Sequence, residues 1–166
     1  LEGSRYTSKG FVFEPNLNEL NGIIVQIPND PSDFPSSNAL WVSGTYTSPD
    51  APQHDLLFRH GENRQFSLQS LNIGEMSDLA DGVNITGGFD DGSSIQKSVE
   101  FDERFGYQAV LFDKSWEGLS YVEIAGFNYS DPAAQGSYFL DNISIDVAAV
   151  ENVATNLVLS ASSFDE

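Results

Sequence analysis

The chain has 166 residues, enough for one domain with a hydrophobic core of its own. Twenty-five Asp and Glu against seven Lys and Arg leave a formal charge of −18. Such a field repels phosphate backbones and anionic membranes and so excludes ordinary nucleic-acid binding. There is no cysteine, hence no disulfide, thiol nucleophile or zinc–thiolate site, and only two histidines, His54 and His60, are present. No apolar run approaches the roughly 18 residues of a membrane-spanning helix, so membrane insertion is not expected.

Strand-like runs dominate, and turn clusters separate them at short, even spacing. In chain order the predicted strands are Gly10–Glu14, Gly22–Ile27, Ala39–Thr47, Asp55–Arg59, Gln65–Asn72, Gly82–Gly87, Ser94–Phe101, Tyr107–Leu111, Leu119–Phe127 and Ser137–Val147. In the ninth, Tyr121, Glu123, Ala125 and Phe127 alternate with the apolar Val122 and Ile124, which predicts an inner strand covered on both faces. No stretch sustains a helical period; Gly74–Leu79 could form one turn. The expected fold is all-β, an antiparallel jelly-roll β-sandwich.

Pro28–Asn38, with three prolines, reads as an exposed loop, and Gly88–Gly92 reads as a hairpin turn whose Gly and Asp tolerate positive φ. If sequential strands are antiparallel, Arg59–Arg64, Gly88–Gly92 and Phe112–Glu117 gather at one end of the sandwich. That end would hold Arg59, His60, Asn63, Arg64, Asp90, Asp91, Lys114 and Trp116, including three of the seven basic residues. Asp, Asn and Arg can hydrogen-bond sugar hydroxyls while a tryptophan face stacks on a pyranose. The plain alternative is that loop ends are polar by default and Trp116 plugs the sandwich. Arg could equally grip a peptide carboxylate.

In the last predicted strand, strict alternation puts Asp141 on one face with Phe139, Ile143, Ile145 and Val147. A carboxylate among such neighbours must be paired, hydrogen-bonded, protonated or metal-bound, and no basic residue lies in the strand. A cation from solvent is the favoured solution, with a hydrogen bond from a loop backbone to Asp141 as the alternative. Calcium, a hard ion with oxygen ligands, suits so acidic a chain.

Tyr6-x-x-x-Gly10-Phe11-x-Phe13, Phe66–Leu71, Val83-x-Ile85-x-Gly87, Tyr107–Val110 and Tyr138-Phe139-Leu140-Asp141-Asn142-Ile143 follow one another in an order that resembles the bacterial extracellular jelly-roll domain of PEP-CTERM-type surface proteins. That domain is similar to carbohydrate-binding modules of the galactose-binding-like sandwich. The resemblance implies a structural calcium between Asp141 and an acidic residue near the N-terminus, here Glu2 of Leu1-Glu2-Gly3. Residues 1–147 would form the module. Residues 148–166 would be a connector and, from Leu157, a segment that resembles the first strand of a cadherin-like repeat. A tandem array of that kind implies a secreted or cell-surface protein, with each module monomeric.

Neither a Gly-x-Ser-x-Gly elbow, a phosphate-binding Gly loop nor a His-rich metal motif occurs, so no enzymatic activity is expected. The expected function is a calcium-stabilised carbohydrate-binding module of an adhesin or multimodular glycan-active protein. A peptide- or protein-binding adhesin domain and a non-binding spacer are the alternatives. The sequons at Asn84, Asn128 and Asn142 are short matches without further support.

Overall fold

A computed structural model describes residues 2–3, 6–15, 22–26, 39–43, 56–75, 81–102, 106–127 and 138–147. Twelve strands are present there: β1 (Glu2–Gly3), β2 (Tyr6–Ser8), β3 (Phe11–Pro15), β4 (Gly22–Gln26), β5 (Ala39–Ser43), β6 (Leu56–His60), β7 (Phe66–Glu75), β8 (Gly82–Gly88), β9 (Ser94–Glu100), β10 (Gly106–Leu111), β11 (Tyr121–Phe127) and β12 (Tyr138–Val147). A single 3-10 turn, Lys114–Trp116, joins β10 to β11. All ten predicted strands are found, and the two short N-terminal ones are additional; Ile27, residues 44–47, Asp55 and Ser137 at their predicted ends lie outside the described residues. The helical turn expected from Gly74 is not formed at its start, because Gly74 and Glu75 extend β7. The Pro28–Asn38 loop, His54, the connector and the cadherin-like segment lie outside the described residues.

The strands form two antiparallel sheets of six, in the orders β1-β4-β5-β12-β7-β10 and β2-β3-β6-β11-β8-β9. Their inner faces share one core. The first sheet contributes Leu40, Val42, Phe66, Leu68, Leu71, Ile73, Val110, Tyr138 and Leu140; the second contributes Phe11, Phe13, Leu56, Phe58, Val83, Ile85, Val122 and Ile124. Period-two alternation builds these faces: in β6, Leu56, Phe58 and His60 point inward while Leu57 and Arg59 are partly exposed. Each fully buried large apolar side chain contributes about 1.5–3 kcal/mol relative to exposure. Tyr138 adds a polar tie across the sandwich, its hydroxyl donating to the Ile124 carbonyl at 3.3 Å. The architecture is an antiparallel β-sandwich.

β11 departs from expectation. It is inner in the sense that β6 and β8 flank it. Only Val122, Ile124 and Gly126 are buried, however, while Tyr121, Glu123, Ala125 and Phe127 remain partly exposed on the outer face.

β12 departs further. Its inward residues are Tyr138 and Leu140, then Ile143, Ile145 and Val147, so the alternation changes phase between Leu140 and Ile143. The pairing with β7 shifts register at that place, and Asn142 adopts φ 47. This is a β-bulge, which inserts one residue and re-aims those beyond it. Asn tolerates the left-handed conformation, and the Asp141 carboxylate accepts the Asn142 N–H at 2.7 Å. Asp141 therefore pairs with the half-exposed Asn72 on the outer face, opposite to Leu71 and Ile73. The acid does not share a face with Ile143, Ile145 and Val147, because the bulge moves them to the other side.

Candidate functional site

Three loops meet at one end of the sandwich, as strand parity required. Phe66 and Leu119 exchange backbone hydrogen bonds of 3.0 and 2.8 Å, and the Ser120 N–H donates to the Gly88 carbonyl at 2.8 Å. Asp90, in the five-residue β8–β9 turn, locks the three together. Its carboxylate accepts the Gln65 amide at 2.7 Å and the Ser120 hydroxyl. These donors, Ser120 first and Gln65 second, hold Asp90 below the usual carboxylate range, against the opposing charge of Asp91. Asp91 shapes the turn itself, accepting the Ser93 N–H at 2.9 Å and its hydroxyl at 2.6 Å. Gly92, at φ 82, closes that turn in a conformation glycine adopts freely.

Arg59 leaves β6 on the outer face. Its guanidinium donates to the Asn63 side chain at 3.0 Å, and its Nε lies 3.6 Å from the Glu14 carboxylate on β3. Asn63 reaches back because it sits at φ 55 in the turn after β6, with its N–H on the His60 carbonyl at 2.9 Å. Arg64 is half-buried in the same turn. Beside Arg59, in register on β11, stands Tyr121, whose other neighbour is Gly88 on β8. The tyrosine ring lies across Gly88, in the space a Cβ would fill. A half-exposed aromatic thus adjoins a hydrogen-bonded Arg–Asn pair and a carboxylate.

Two expected members of this end are turned inward. Trp116 is 4% exposed. Its ring packs 4.6 Å from that of Phe112 and against Gly87, so it plugs the core and offers no face for stacking. The 3-10 turn that carries it is capped by Asp113, which accepts the Ser115 N–H at 2.9 Å. His60 is 6% exposed and packs edge-on against Phe11. Arg59 and Asn63 are hydrogen-bonded to each other, Asp90 and Asp91 occupy the β8–β9 turn where Asp90 is braced to Gln65 and Ser120, and Lys114 is exposed in the 3-10 turn. Tyr121, Glu14, Gln65 and Ser120 were not anticipated. For Tyr121 the available signal was Gly87-Gly88, since a bare stretch of strand invites a neighbouring ring to cover it.

The calcium pair fares differently. Glu2 lies on β1, and its register runs through Ile24 and Trp41 to Phe139 on β12, two residues from Asp141. With strands ~4.8 Å apart, the two backbones are separated by roughly 16 Å. The side chain of Glu2 lies outside the described residues. Asp141 neighbours Tyr107, whose phenol is pushed up to about 12 by burial and secondly by the Asp141 charge. The Tyr107 ring covers Gly74, from which a Cβ would stand 3.1 Å.

No family model matches the chain, and a search of the curated proteins finds no match. None of the helices among the described residues is long and apolar enough to cross a membrane.

Proposed function

We propose that this chain is a non-catalytic, glycan-binding jelly-roll module of a secreted or surface-attached protein, and that sugar rests on Tyr121 at the loop end of the second sheet. The observation that carries this reading is the tyrosine ring laid across Gly88 beside the Arg59–Asn63 pair. An aromatic face suits the apolar side of a pyranose, and the neighbouring guanidinium, amide and carboxylates suit its hydroxyls. Arg59 already faces Glu14. A ligand carboxylate would have to compete with that pairing, which disfavours the peptide-carboxylate alternative.

A glycan array followed by calorimetry on the full chain tests the reading. A hit should lose at least tenfold in affinity with Tyr121→Ala and several-fold with Arg59→Ala, while both variants keep the parent circular-dichroism spectrum. Silence across neutral and acidic glycans overturns it. Binding of a free-carboxylate peptide that amidation abolishes would install the adhesin reading in its place, and silence in both assays the spacer.

A further inference from the structure

The outer face of the second sheet carries one device twice along a single strand. Tyr121 and Phe127 stand at the two ends of β11, and each is in register with a glycine of β8, Gly88 and Gly82 respectively. Each ring lies where that glycine's Cβ would be. A Cβ on Gly82 would meet the Phe127 Cζ at 2.5 Å, and one on Gly88 would overlap the Tyr121 phenol. A ring bedded on bare backbone turns its other face outward, and both residues are partly exposed. At ~3.3 Å per residue, the two rings mark the ends of a strip roughly 20 Å long.

Between the rings the floor is polar. Thr86 pairs with Glu123 and Gln96, and Asn84 pairs with Ala125 and Ser98. Thr86 and Asn84 alternate with the buried Val83 and Ile85, so they belong to this outer face. The Ser98 hydroxyl donates to the Asn84 side chain at 2.7 Å and holds that amide in place. These rows across β11, β8 and β9 contain Glu123 and Glu100 and no Lys or Arg. Lys97 falls in register with the inward Ile85, and its ammonium stands over Phe112. Arg59, beside Tyr121, is engaged by Asn63 and Glu14.

We propose that the strip from Tyr121 to Phe127 binds an extended, uncharged polysaccharide lengthwise along β11, with one sugar on each ring and the sugars between them over Thr86 and Asn84. This rests on the glycan reading and deepens it, naming the length, direction and charge class of the ligand. A sugar held at Tyr121 alone makes no use of the second ring. A chain that reaches both rings gains the second contact intramolecularly, at high effective concentration. Threonine hydroxyl and Asn and Gln amides both donate and accept, as the hydroxyls of a neutral sugar do. Uronate or sulfate groups would instead meet Glu123, Glu100 and the field of a −18 chain, with no cation in the floor to receive them.

Calorimetry on the full chain with neutral glucan, xylan and mannan oligosaccharides of increasing length tests the strip. Affinity should rise about tenfold from disaccharide to hexasaccharide, the gain of a second stacked ring. Phe127→Ala should remove that rise and leave disaccharide binding unchanged, whereas Tyr121→Ala should weaken both. Affinity that is flat with length, or a rise that survives Phe127→Ala, overturns the strip and leaves the Tyr121 site standing. Tighter binding of a polyuronate than of neutral chains of the same length overturns the charge class. Silence of short and long chains alike overturns the strip together with the glycan reading beneath it. Should Phe127→Ala fail to fold, Thr86→Arg lays a long side chain across the middle of the strip. It should likewise abolish the rise, and a rise that survives it overturns the proposal.

Discussion

Asp90 and Asp141 each begin a short acidic or amide pair, Asp90-Asp91 and Asp141-Asn142, yet the chain handles them in opposite ways. Asp90 sits in a turn and gathers donors from residues 25 and 30 positions away, so a carboxylate becomes the tie between three loops. Asp141 sits inside a strand, and there the backbone yields: a bulge at Asn142 turns the acid outward and returns the apolar residues beyond it to the core. The lesson is that an awkward charge in a strand can be resolved by re-phasing the strand.

The loop end should break most severely at its plug. Trp116→Ala removes a buried ring from between the sheets and should cost about 3–5 kcal/mol by chemical denaturation; a loss under 1 kcal/mol would mean the end is not packed as described. At the bulge, Asn142→Val forces a β-branched residue into left-handed backbone and should cost about 1–2 kcal/mol, whereas Asn142→Gly should be neutral or slightly stabilising. Equal effects of the two substitutions would deny the bulge. Asp90→Ala should lower Tm at pH 7. Because hydrogen bonds depress the folded carboxyl, its contribution is present above the ordinary carboxylate range and fades as pH falls through and below about 4. The variant and parent melting curves should therefore converge in acid. Smallest of all, Asp141→Asn should change stability by no more than about 0.5 kcal/mol, and any response of Tm to calcium should be the same in variant and parent. A calcium response lost in the variant would restore the ion to that residue.

Much of the sandwich was legible because alternation is a local property: Leu56 and Phe58, or Val83 and Ile85, show their buried face without knowledge of their partners, whereas His60, which continues that face, was placed in the loop end. The meeting of the three loops at one end followed from strand parity alone. Asp141 was misplaced because alternation was extended through Asp141-Asn142, although Tyr138-x-Leu140 and Ile143-x-Ile145-x-Val147 are themselves out of phase by one. Tyr121 was hidden for a different reason. Its partners Arg59 and Gly88 lie on separate strands, and which residue faces which is fixed only by register. Trp116 shows the limit of residue type as evidence, since the same ring can cap a core or receive a sugar.

Lys97 has a bearing on how many such molecules share a confined space. It stands at the middle of β9, the last strand of its sheet among the described residues, and its ammonium lies 5.8 Å from the Phe112 ring centre while remaining exposed. A foreign strand seeking to extend the ladder would have to meet that cation. The flank is thereby guarded against runaway lateral stacking into fibres, a safeguard that matters most when copies are crowded together.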